Sequence, residues 1–239
     1  PMRSKLHPRI AVTARWILTI YVGLTAVATI SYHFAGMGWF DSLCHSMSTV
    51  STGGFSTKQE SIAAFDSPKI EYVTTLFMFL SGINISLLYL FIFKFRFKDL
   101  LRDTEAKTYT AIVVIYTIAI TIGLYFTTPA DVELSFRTAL FQVVSIQTTT
   151  GFATTDFDLW PSFSKTILLA LMVIGASAGS TGGGIKCIRV LLLFKILRRN
   201  IRQILNPQKV MVVRNNGKAV NEKVVSNTNA YLAAYVVII

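Results

Sequence analysis

Ser51-Thr52-Gly53-Gly54-Phe55 recurs 97 residues later as Thr148-Thr149-Thr150-Gly151-Phe152. Each copy is a hydroxyl- and glycine-rich pentapeptide set between long apolar segments, preceded by a short amphipathic stretch and followed by a polar span and another apolar run. Hydrocarbon cannot satisfy such a backbone. Non-helical chain at membrane depth is tolerated only where protein buries it or where it lines an aqueous path. Two copies in the same order and orientation suggest peptides converging on one axis, as in an ion pore.

Composition sets the class. Hydrophobic residues make up 52% and charged residues 15% of the chain, with a mean hydropathy of +0.54, which reads as integral membrane. Residues 72–93 and 109–130 each carry no charge over 22 residues, enough to cross a bilayer at roughly 20 residues per span. Residues 16–32 form a shorter candidate, extended by 10–14 if Arg15 snorkels. Residues 166–185 are uncharged but broken by five glycines, and 230–239 read as the first turns of a further span.

The net charge of +11 would suit nucleic acid, but its placement points elsewhere. If the spans alternate and the pentapeptides share one side, 19 of 23 Lys/Arg fall on the other side: four in 1–15, five in 94–107, ten in 186–223. The pentapeptide side holds Lys58, Lys69, Arg137 and Lys165 beside eight of the twelve acids. The positive-inside rule then places the pentapeptides outside and the basic segments in the cytoplasm, facing anionic lipid headgroups and a cytoplasmic partner rather than nucleic acid. Cys44 and Cys187 fall on opposite sides, so no disulfide is expected, and His7, His33 and His45 lack metal-site spacing. No signal peptide is visible, and a chain running from Pro1 into an unfinished apolar segment reads as a fragment.

The offset of 97 aligns more than the pentapeptides. Leu43, Ser48, Thr57, Gly82, Phe97, Lys98, Leu100 and Arg102 match Leu140, Ser145, Thr154, Gly179, Phe194, Lys195, Leu197 and Arg199. Internal repetition therefore sets the fold. Residues 1–107 form one unit and 108–205 a second, followed by a cytoplasmic hairpin or linker at 206–229 and a truncated helix at 230–239. Each unit reads as outer span, short helix, pentapeptide, polar turn, inner span. The short helices carry helical apolar spacing at Phe40, Leu43, Cys44 and Met47 and at Phe136, Ala139, Leu140, Val143 and Val144. At about eleven residues they cannot cross a bilayer. They dip in from outside and aim a partly negative C-terminal end at the bilayer centre, which favours a cation. Parallel units argue against inverted-repeat transporters. Asn216-Gly217 between short apolar runs signals the hairpin.

In a carbonyl filter the chain is extended and closely packed, and Gly54 and Gly151 allow that approach. Phe55 and Phe152 are expected to anchor the peptides in neighbouring helices. Two peptides of the form Ser/Thr-x-Gly-Phe, the stretch Ala178-Gly179-Ser180-Thr181-Gly182-Gly183-Gly184-Ile185-Lys186 and the nearby Arg189 resemble the TrkH/KtrB/HKT superfamily of K⁺ transport subunits, nearest to its bacterial TrkH branch. The resemblance implies an all-α membrane protein of parallel helix–pore-helix–helix repeats around a central pore, like a K⁺ channel, with this chain as second and third repeats and the start of the fourth. It implies carbonyl ligands for K⁺ from Ser51, Thr52, Gly53 and Gly54 and from Thr148, Thr149, Thr150 and Gly151. It further implies a TrkA-like nucleotide-binding ring as cytoplasmic partner, met by 94–107 and 195–223, a homodimer, no bound cofactor, and the bacterial inner membrane.

The stretch 179–186 fails as a phosphate loop, because Ile185 stands where a Walker lysine is required. It reads either as a helix kink or, as the resemblance favours, as an intramembrane gate of Gly179, Ser180, Thr181, Gly182, Gly183, Gly184 and Lys186. Lys186 would repel cations or pair with an acid, and Arg189 would snorkel. Its counterpart Ser81-Gly82-Ile83-Asn84 lacks the glycine run, so that span is expected to stay largely continuous, with Asn84 facing either the loop or a neighbouring helix. A coupled H⁺ or Na⁺ symporter is the alternative to a channel. Coupling calls for a titratable intramembrane group, and the charges within or beside spans are Arg15, Glu71, Lys165, Lys186 and Arg189, without a carboxylate pair. No acid, base and nucleophile cluster suggests an enzyme.

Overall fold

The structure is a computed structural model that describes residues 10–127, 131–206 and 212–238. It is helical almost throughout. Helix α1 (Ile10–Ala35) is 26 residues long, about 39 Å at 1.5 Å per residue, and carries the first membrane-length apolar segment. It stops where Gly36, at φ +117°, takes a conformation open to glycine, with Gly36 N–H on His33 O and Met37 N–H on Tyr32 O closing the end. The short α2 (Trp39–Val50) follows, then the first pentapeptide, a 3₁₀ turn (Ser61–Phe65), and α3 (Pro68–Ser81) with proline in its first turn, where no N–H is missed. Helices α4 (Ile85–Lys94) and α5 (Phe97–Arg102) complete the first unit.

The second unit repeats this order. Helix α6 (Thr104–Thr127) is the second membrane-length helix and begins four residues ahead of the expected boundary, because Asp103 Oδ1 accepts the Ala106 N–H and caps it there. Helix α7 (Val132–Gln147), at 16 residues, is longer than α2, at 12. After the second pentapeptide and a 3₁₀ turn (Phe157–Leu159) come α8 (Ser162–Val173) and α9 (Cys187–Leu205). Helix α1 packs on α2 as α6 packs on α7, and α3 crosses to α7, so the two units share one core around Tyr32, Met78, Tyr109, Phe141 and Phe152. The hairpin is limited to β1 (Arg214–Asn215) and β2 (Lys218–Ala219), turned by Asn216 and Gly217 at φ +47° and +75°, the left-handed pair a tight hairpin needs. Val210 and Met211, the start of the apolar run before the turn, and residues 1–9 lie outside the described residues. Helix α10 (Glu222–Ile238) starts eight residues before the expected 230.

Two expectations need correcting. The span over 72–93 is not continuous: α3 and α4 meet at 105°. Gly82 weakens the helix, and Asn84 starts a new one by accepting the Ser86 N–H at 2.8 Å. Counting apolar residues does not detect this cap. The apolar stripe of α2 also faces outward. Phe40, Leu43 and Met47 are exposed, while Ser42, His45, Ser46, Ser48 and Thr49 are buried. The hydroxyls bond inward, Thr49 to Tyr32 (2.7 Å) and Ser46 to Thr29 (2.6 Å), as expected where lipid rather than water surrounds the helices.

Candidate functional site

The pentapeptides have the same backbone. Thr52 and Gly54 lie at φ +54° and +71°, and their counterparts Thr149 and Gly151 at +58° and +86°. In the first copy Thr52 N–H donates to Thr49 O (3.1 Å) and Gly53 N–H to Ser48 O (2.8 Å). In the second, Thr149 N–H donates to Ile146 O (2.9 Å) and Thr150 N–H to Ser145 O (2.9 Å). The chain leaves each short helix in one tight turn that spends its donors backwards. Among the described residues, no hydrogen bond ends on the carbonyls of Thr52, Gly53, Gly54, Thr148, Thr149, Thr150 or Gly151. Ser51 O differs, since it accepts from Thr52 Oγ1 at 2.6 Å. Buried carbonyls are nearly always paired; Thr52, Thr148 and Thr150 are buried while Gly53 and Gly151 are exposed, so this row of carbonyls at the end of two short helices can take a cation or water.

The peptides lie side by side. A Cβ on Gly54 would press on the carbonyl oxygen of Thr150, with the Thr150 and Gly151 carbonyl carbons at 3.1 and 3.3 Å. Gly151, the equivalent position, has no described atom within 4 Å of its would-be Cβ. The phenylalanines differ in the same sense. Phe152 is 1% exposed, its ring 5.9 Å from that of His45 in the first unit, whereas Phe55 is 81% exposed. Phe152 anchors as expected; Phe55 does not, because among the described residues nothing supplies the cover that His45 gives its partner. His45 also bonds Ser56 Oγ (2.9 Å) and Asp41 O (2.8 Å), and Thr57 donates to Asp41 Oδ1 at 2.6 Å, which holds that carboxyl below its usual range.

Below the second pentapeptide, residues 174–186 form a non-helical loop, with Ile174 and Ile185 bridged in parallel and Gly175 N–H on Ile185 O (2.9 Å). Gly183 N–H donates to Thr149 Oγ1 at 2.6 Å, and a Cβ on Gly182 would lie 2.7 Å from Thr148 O. The loop thus rests directly on the pentapeptide. Lys186 Nζ turns back onto Gly182 O and, at 3.5 Å, Gly183 O, so it braces the loop. Ser180 Oγ donates to Ser177 O (2.6 Å) and Thr181 Oγ1 to Ser81 O (3.2 Å). The Arg189 guanidinium sits 3.6 Å over the Tyr231 ring of α10.

The bend of the first unit and the loop of the second interlock. Ser177 N–H donates to Gly82 O (3.1 Å), Ile85 N–H to Gly179 O (3.1 Å), and Asn84 Nδ2 to Ala178 O (2.6 Å). Asn84 faces the loop. One residue escaped the sequence reading altogether. Glu105, 8% exposed, accepts the Ala178 N–H at 2.5 Å. Its position two residues past a helix-capping Asp103 and ahead of a long apolar run was a readable signal, but charge counting assigned it to the cytoplasmic segment.

The family described as TrkH, cation transport protein, matches residues 2–239. The Trk system potassium uptake protein TrkH of Salmonella typhimurium is 37% identical over 236 residues, 98% of this chain and 49% of its own length. The Trk system potassium uptake protein TrkG of Escherichia coli is 35% identical over 232 residues, 97% and 48% of the two chains. The crystal structure of the potassium transporter TrkH from Vibrio parahaemolyticus superposes with a TM-score of 0.92 at 35% identity, covering 98% of this chain and 51% of that one. The chain spans about half the length of these curated relatives.

Proposed function

Because the chain belongs to the TrkH family of cation transport proteins, we propose that it supplies two filter-bearing units of a K⁺ uptake pathway in the bacterial inner membrane. The observation that carries this is the row of unpaired carbonyls at Thr52, Gly53 and Gly54 and at Thr148, Thr149, Thr150 and Gly151, held in the same conformation in both units. Carbonyls of this kind replace an ion's hydration shell. The geometry extends to further units. Gly54 of one unit meets Thr150 of the next, and the open flank at Gly151 is where a third peptide would stand by the same step. Bare Phe55 marks the opposite edge, where a preceding unit would supply its cover.

The glycine loop is the gate of this pathway, since it lies against Thr148 and Thr149. Its regulator is a TrkA-like nucleotide-binding ring on the cytoplasmic side, facing the basic segments 94–107 and 195–223, and the assembly is a homodimer. The sequence resemblance and the charge pattern support this part of the reading. Rubidium uptake into liposomes carrying the full-length protein, driven by a K⁺ gradient, tests the reading. Flux that Na⁺ carries equally well, or that is insensitive to Gly54 substitution, refutes it.

A second reading, K⁺ uptake coupled to H⁺, is favoured by one observation. Glu105 is a buried carboxylate at the gate, the type of group coupling requires. Reversal potentials under a fixed K⁺ gradient at several pH values separate the two: a channel follows K⁺ alone, a symporter shifts with pH.

A further inference from the structure

Ala178 is held in an unusual way. Both its backbone polar groups are taken by side chains, and the two side chains come from different units: Asn84 Nδ2 donates to its carbonyl at 2.6 Å and Glu105 Oε1 accepts its N–H at 2.5 Å. Asn84 and Glu105 together therefore fix the glycine loop at Ala178, near its entry. Beyond this grip the loop touches the second pentapeptide through Gly183 N–H and Thr149 Oγ1.

Glu105 is itself placed from below. The two residues before it, Asp103 and Thr104, are bound by the hairpin: Asn216 Oδ1 accepts from Thr104 N–H (2.9 Å) and Thr104 Oγ1 (2.6 Å), and Asn216 Nδ2 donates to Asp103 Oδ2 (2.8 Å). The hairpin also sits on α9, where Lys195 Nζ donates to Arg214 O (3.0 Å) and Asn215 Oδ1 (3.1 Å). Asn216 and Gly217 are exposed. We propose that Glu105 is a positioning residue that holds the glycine loop against the second pentapeptide, and that the hairpin at 214–219 is the lever by which a soluble cytoplasmic partner moves it. A partner that draws the hairpin away from α6 shifts Asp103, Thr104 and then Glu105, and the loop loses its grip at Ala178. This rests on the reading of the loop as a gate; the grip itself does not.

The test reads the grip and the gate separately. Backbone hydrogen exchange over residues 177–186 is followed in the full-length protein in nanodiscs, alongside rubidium flux in liposomes. Loss of a buried hydrogen bond to a charged group shifts a local equilibrium by about tenfold to a hundredfold. Glu105→Ala should speed exchange by that factor, and Glu105→Gln, whose amide oxygen accepts the same N–H, should restore most of the protection. Asn216→Ala, which touches none of these amides, should speed the same ones, and combining it with Glu105→Ala should add little. Unchanged exchange in Glu105→Ala at normal yield overturns the grip. If Glu105→Ala does not fold, the Gln and Asn216 variants decide: acceleration confined to the hairpin in Asn216→Ala overturns the lever. Faster exchange with unaltered flux leaves the grip standing and refutes the gate.

Discussion

Replacing Gly54 by alanine is the sharpest test of the paired pentapeptides. The residue sits at φ +71°, where an L side chain costs roughly 1–2 kcal/mol. Its new Cβ would also press on the Thr150 carbonyl oxygen, so the two peptides must separate or the carbonyl must rotate, an overpacking cost of about 1–3 kcal/mol. Strain of roughly 2–5 kcal/mol then falls on carbonyls that no described group restrains by a hydrogen bond. Converting only about 1.4 kcal/mol of it into poorer K⁺-over-Na⁺ binding lowers the permeability ratio tenfold. Bi-ionic reversal potentials in planar bilayers measure this directly. Gly151→Ala is the internal comparison. It carries the same backbone penalty, at φ +86°, but meets no described atom within 4 Å, so any larger effect in the whole protein reports a neighbouring peptide on that flank. A Gly54→Ala protein made at normal yield with an unaltered permeability ratio would refute both the contact and its role.

Thr149→Val keeps the shape of the side chain but removes the acceptor of the Gly183 N–H; at about 1 kcal/mol for one hydrogen bond, resting flux should rise about fivefold with selectivity kept, and an unchanged flux argues against the gate. Arg137→Ala leaves Glu71 unpaired where both side chains are nearly buried (11% and 12% exposed), so detergent thermal stability should fall by about 3–5 kcal/mol, and Glu71→Gln combined with Arg137→Gln should recover part of it. For topology, cysteines at Glu60 and Arg102 should react with an impermeant maleimide from opposite sides of sealed vesicles; reaction from one side alone would break the two-unit arrangement.

Repetition was legible because it is written in residue identity: the pentapeptides, Gly82 with Gly179, and the basic helix ends all keep one offset. The short helices and the hairpin turn were legible for a related reason, since length and an Asn-Gly pair constrain the backbone locally. What sequence reasoning missed depends on partners distant in the chain. Hydropathy sees the region around Gly82 as apolar and cannot register that Asn84 begins a new helix there. It also counts Glu105 with the charges of a cytoplasmic segment, because its partner is the Ala178 N–H, 73 residues away. Phe55 and Phe152 read alike in sequence, and their divergence in burial arises from distant contacts: His45 packs against Phe152, and no described residue covers Phe55 in the same way.

The broken span of the first unit and the loop of the second are one device. Gly82 and Gly179 are repeat equivalents, each at the interruption of its own span, and the chain bonds across from one to the other through Ser177 N–H on Gly82 O and Ile85 N–H on Gly179 O. A non-helical loop inside a membrane needs partners for every backbone group it exposes. The first unit provides them by bending: the 105° turn frees Gly82 O and brings Asn84 to Ala178 O. Gly82 must also remain small, since a Cβ there would lie 2.9 Å from both the Thr148 methyl and the Tyr109 ring. A straight first span would leave the loop's backbone unsatisfied, and a continuous second helix would leave Asn84 without its carbonyl. The two interruptions are therefore complementary, each supplying backbone partners to the other.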